Sequence, residues 1–101
     1  MIVDLTSGQT VVRDPDDLKR LHVLATADLD VDRALRDSGL GSQEPDGRVL
    51  LDIARLRVAA LAQASDPSWP AGWDAMVAYA ASKGWLADDG AALVAHVERT
   101  G

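Results

Sequence analysis

Apolar and polar positions change rhythm about halfway along the chain. In the first quarter, Ile2, Val3 and Leu5, then Thr10, Val11 and Val12, flank Thr6-Ser7-Gly8-Gln9. Short apolar arms around a four-residue turn predict a hairpin. Asp14-Pro15-Asp16-Asp17 then predicts a single helical turn, with Asp14 as its cap. Proline at the first helical position gives up only an N–H that has no partner there. Leu21-His22-Val23-Leu24-Ala25-Thr26 reads as a strand, with Leu21, Val23 and Ala25 on one face and His22, Leu24 and Thr26 on the other.

Helical signals follow. Asp30 is placed to cap a short helix over 31–38, and Gly39-Leu40 suits its left-handed ending. The segment 41–46 reads as a polar loop closed by the turn pair Asp46-Gly47. Arg48-Val49-Leu50-Leu51 predicts a strand, and Asp52 a cap for the next helix. In that helix Ile53, Leu56, Val58 and Leu61 spread over about 200° of the wheel at 100° per residue. So broad a stripe predicts cover on two sides, by the sheet and by another helix or a second subunit. Trp69, Trp73, Met76, Val77 and Ala80 form the stripe of a helix ending near Lys83-Gly84-Trp85. Asp88 or Asp89 is the expected cap of a final helix, with Leu93, Val94 and Val97 on one face.

These elements predict one α+β domain over 1–101, β-rich in its first half and helical in its second. The expected architecture is a small, mostly antiparallel sheet: the N-terminal hairpin plus strands near 21–26 and 48–51, covered by three or four helices. The order of the strands stays open, because twenty-one residues between 26 and 48 allow either a parallel crossover or an antiparallel return.

Composition narrows the function. The 101 residues include no Cys and no Phe, so a disulfide scaffold, a thiolate metal site and a cysteine nucleophile are excluded. The longest apolar run, 75–81, is too short to span a bilayer, and no secretory signal is visible at the N-terminus. A cytoplasmic location is therefore expected. The formal charge of −6 argues against nucleic acid, whose binding draws on clustered Lys and Arg. Fourteen of the 16 acids are Asp, and several fall at expected caps and turns, which weakens the charge as a guide to function.

The candidate chemistry is sparse. Asp28-Leu29-Asp30-Val31-Asp32 opens like a calcium loop, but Arg33 replaces the required glycine and Gly39 the bidentate glutamate. It reads instead as a helix start rich in carboxylates. Asp14, Asp16 and Asp17 are explained by capping without a metal. Arg48, Arg55 and Arg57 could form an anion site, yet Arg55 and Arg57 point about 160° apart on a helix. His22 and His96 could form a general acid–base pair if they met in space with an Asp, although nothing in their spacing brings them together. All four aromatics, Trp69, Trp73, Tyr79 and Trp85, lie within 17 residues. Trp73 and Trp85 are expected in the core, and Trp69, beside Pro67 and Pro70, partly exposed.

No catalytic motif, cofactor loop or metal set is present in the sequence pattern, so no catalytic residue, cofactor or metal is assigned. The leading expectation is a non-enzymatic domain that binds another protein or itself, most simply as a homodimer. The alternative is a small-molecule binder or small enzyme with a pocket between the sheet and the Trp-bearing helix, in which His22 or His96 supplies the polar group. For either, the candidate surface comprises Trp69, Trp73, Tyr79, Trp85, His22 and His96.

Overall fold

The computed structural model describes residues 1–100. The expected hairpin is formed by β1 (Ile2–Asp4) and β2 (Val11–Arg13), paired antiparallel with Val3 opposite Val12. Between β2 and the next strand the expected helical turn is absent. Asp14 adopts a positive φ of 49°, and its carbonyl accepts the Asp17 N–H at 3.0 Å. The segment is thus a β-turn with Pro15 at its second position, a site that proline's fixed φ suits.

Strand β3 (His22–Thr26) alternates as expected, with Val23 and Ala25 fully buried. Helix α1 (Val31–Ser38) is capped by Asp30, whose carboxylate accepts the Arg33 N–H at 3.1 Å. It ends at Gly39 in the left-handed region, where the Leu40 N–H donates back to the Leu35 carbonyl. The expected loop after it begins instead with β4 (Gly41–Gln43), paired antiparallel with β5 (Val49–Asp52). Asp32 reaches from α1 to receive the Gln43 N–H at 2.7 Å. That bond, with Arg36 second, holds its carboxyl below the usual range.

Asp52 caps α2 (Ile53–Leu61), accepting the Arg55 N–H at 2.9 Å. Helix α3 (Trp69–Ser82) closes with Gly84 at φ 75° and the Trp85 N–H bonded to the Ala80 carbonyl. The expected final helix does not form. Asp88 and Asp89 both take positive φ, in a short 3-10 turn, so neither can start an α-helix. The chain then runs through β6 (Leu86–Ala87), β7 (Ala92–Ala95) and β8 (Val97–Thr100).

The α+β class stands, but the single, mostly antiparallel sheet becomes two four-stranded sheets. The first has the order β2-β1-β3-β8 and is mixed, since β3 runs parallel to both β1 and β8. The second has the order β4-β5-β7-β6 and is antiparallel throughout. The strands at 21–26 and 48–51, whose pairing the sequence left open, lie in different sheets. Three α-helices complete the fold. One core joins Val3 and Val23, Leu35 of α1, Leu51 of β5, Leu56 of α2 and Trp73 of α3. Only His96 separates β7 from β8, so the chain changes sheets at that residue.

Candidate functional site

The change of sheet at His96 decides the chemistry of one face. The Val23 N–H donates to the His96 carbonyl at 3.0 Å, and the next register pairs are Val23 with Val97 and Leu24 with Glu98. His22 and His96 are therefore neighbours on adjacent parallel strands. Glu98, two residues along β8, shares their face because side chains alternate along a strand. The imidazoles stack with centroids 6.0 Å apart and an interplanar angle of 19°. Nε2 of His22 lies 3.4 Å from Oε2 of Glu98, and Nε2 of His96 lies 3.4 Å from Oε1. The two histidines of the chain thus meet with one carboxylate within reach of both.

This trio forms the polar end of an open cleft of about 1280 Å³. Leu18, Leu21, Met76 and Leu93 give it an apolar lining, and Tyr79 and Trp85 stand at its side. The two aromatic rings meet edge to face at 5.8 Å, and the Lys83 ammonium lies 5.5 Å from the Tyr79 ring centroid. Tyr79 is 56% exposed and Trp85 48%. Trp85 is fixed from both sides, its N–H bonded to Ala80 and its carbonyl accepting the Val94 N–H at 2.8 Å.

The wall formed by residues 18–22 is held by its backbone. The Met1 amino group donates to the carbonyls of Asp17 and Arg20. Ser65 and Asp66 donate to the Asp16 carboxylate, which lies below the usual range chiefly because of the Ser65 hydroxyl. Gly72 lets the wall approach α3: a Cβ there would lie 2.8 Å from Cδ1 of Leu18. Lys19, Arg20 and Arg48 also line the cleft, with Glu98 as its single acid. Arg48 is paired with Asp46 at 2.8 Å, an exposed contact of small energetic weight. Lys19 and Arg20 form no ion pair among the described residues.

The structure redistributes the aromatic candidates. Trp69, expected to be partly exposed, is 2% exposed. Its Nε1–H donates to the Pro15 carbonyl at 2.7 Å, and its ring stacks on Trp73 at 5.3 Å. The hydrogen bond allows the indole to be buried at little polar cost. Trp73 is core, as expected. Trp85, expected in the core, stands in the cleft, because the left-handed turn at Gly84 carries it off the end of α3. His22, His96, Tyr79 and Trp85 are thus gathered at one site, while Trp69 and Trp73 belong to the core.

Sequence reasoning missed Glu98, Lys19, Arg20 and the apolar lining. The signal for Glu98 was present, since His96-Val97-Glu98 alternates like a strand, but the helical reading put the two side chains on different faces. Arg48, Arg55 and Arg57 do not form an anion site together, since Arg48 alone faces the cleft. Among the described residues no group of three His, Asp or Glu could hold a metal ion. In the histidine trio each imidazole meets a different oxygen, so the three donors do not converge. No helix among these residues is long and apolar enough to cross a membrane.

No protein-family model matches this chain, and no curated protein and no solved structure matches it.

Proposed function

We propose that the domain binds a small molecule in the cleft between α3, the 18–22 wall and strands β7 and β8. The observation that carries this reading is the meeting of an exposed aromatic pair, Tyr79 and Trp85, with two imidazoles at one concave site. Ligand sites combine a mostly apolar wall with a few convergent polar groups, and this cleft has both. The proposed compartment is the cytoplasm, which suits a chain without cysteine.

A neutral aromatic probe, 1-naphthaleneacetamide, tests the reading. Titration should shift the indole N–H resonance of Trp85 and the ring resonances of His22 and His96, and leave that of buried Trp69 in place. Ala75 is exposed on α3 and lines the cleft, so the ring of Ala75→Phe should intrude on it and weaken binding by about tenfold or more. Shifts confined to other surfaces, or no response either to this probe or to 1-naphthaleneacetate, would remove the proposal.

A second reading, self-association, is favoured by α2. Val58 is 70% exposed and Leu61 42%, three positions apart on one helical face. These are the residues that extended the sequence's stripe around the helix, and within one chain nothing covers them. The occupant this reading names is a second copy, and the mass of the protein in solution tests it.

A further inference from the structure

The second inference rests on the cleft being a ligand site, and concerns what kind of ligand enters it. The chain as a whole carries 16 acids against 10 bases. The cleft reverses that balance: Lys19, Arg20 and Arg48 line it beside two histidines, and Glu98 is its only acid. Neither Lys19 nor Arg20 is neutralised by an ion pair among the described residues. An acidic domain with a locally basic concave surface is arranged to attract an anion to that surface.

Glu98 shows the form the anion would take. Its two oxygens each face the Nε2 of one imidazole, so the paired histidines are spaced for a planar carboxylate. Both distances are 3.4 Å, longer than the usual charge-assisted contact between nitrogen and carboxylate. Glu98 is itself more than half exposed, on the edge strand of its sheet. Of the two contacts only that with His96 has hydrogen-bond geometry, so a carboxylate held this loosely, by a side chain free to turn into water, is replaceable. The apolar lining and the Tyr79–Trp85 pair extend away from it within the same cleft.

We propose that the cleft takes a carboxylate with an aromatic or apolar body, and that His22 and His96 hold its carboxylate in the place Glu98 occupies. Glu98 then acts as a resident stand-in that an incoming ligand displaces. Lys19 and Arg20 supply attraction at the rim rather than the fixed contact.

The test compares 1-naphthaleneacetate with 1-naphthaleneacetamide, which share a ring system and differ in charge. Binding is followed through the resonances of His22, His96 and Trp85, with both probes at the same pH and salt. The acetate is expected to bind about tenfold tighter than the amide. The double variant His22→Gln/His96→Gln should abolish that preference, so that acetate and amide bind with equal affinity, read at Trp85. Glu98→Gln should raise affinity for the acetate, because the competing carboxylate is gone. If the double variant fails to fold, His96→Gln alone, at a mostly exposed side chain, should reduce the preference.

Equal affinity for acetate and amide, with both in the cleft, would overturn this inference and leave the ligand site standing. An acetate preference that survives loss of the histidines would overturn it as well. Failure of both probes to enter the cleft would remove the ligand reading itself. Binding of the acetate alone, at these histidines, supports both.

Discussion

At the scale of single residues, Asp4 is the buried charge of this fold. It is 5% exposed, yet fully satisfied: it receives the Thr6 hydroxyl at 2.6 Å, the Thr6 N–H at 2.8 Å and the Arg13 Nε–H at 2.6 Å. The Thr6 bonds, with Arg13 after them, bring its carboxyl from 3.8 down to about 2. A carboxyl lowered in the folded state stabilises the protein above its unfolded value, and that contribution is lost as pH falls through the folded one. Stability should therefore decline between about pH 4 and pH 2, with about 1–2 kcal/mol of the loss due to Asp4. Water screens part of the Arg13 contribution, because that side chain is half exposed. Urea unfolding across this range should show a shallower decline for Asp4→Asn, which starts from a lower stability at neutral pH. An unchanged slope in the variant would show that Asp4 does not carry the effect.

At the scale of elements, the decisive contact is between α3 and the segment that crosses from β2 to β3. Trp69, at the start of α3, donates to the Pro15 carbonyl across 54 residues of sequence. That bond and the close approach at Gly72 hold the wall on which Leu18, Lys19 and Arg20 stand. Trp69→Phe keeps an aromatic ring but leaves the Pro15 carbonyl without its donor. Loss of a buried partner costs about 1–3 kcal/mol, and the smaller ring adds a packing defect. Chemical denaturation should show a drop of about 2 kcal/mol or more. A change within about 0.5 kcal/mol, the usual range for surface substitutions, would show that the wall is anchored elsewhere.

At the scale of the whole molecule, two surfaces remain uncommitted by the fold: the cleft, and the face of α2 that bears Val58 and Leu61. They make separate demands. The cleft is concave and carries a polar end, whereas the α2 face is marked by two exposed aliphatic side chains. Light scattering at micromolar concentration distinguishes a 10.7 kDa monomer from a dimer. If a second copy covers α2, the mass should double and Val58→Asp should restore the monomer, since an unpaired charge is costly to bury. A clean monomer at all concentrations would remove the self-association reading and leave the cleft untouched.

What could be read from the sequence was what short-range chemistry decides. Asp30 and Asp52 cap their helices through carboxylates acting three residues on, and Gly39 and Gly84 close helices by accepting positive φ. The hairpin of β1 and β2 and the alternation of β3 are equally local. The last part of the chain was not legible in this way. Leu93, Val94 and Val97 satisfy a helical stripe as well as two short strands, and local spacing does not separate the two. Remote partners decide it: β7 pairs with β5, whose residues 49–52 lie some forty positions earlier, and β8 with β3. Once those ladders form, His96 becomes the joint between two sheets and faces His22. The sequence by itself thus determined the caps, turns and most of the elements. The tertiary structure decided which histidines and aromatics meet, because that depends on backbone pairing between segments far apart along the chain.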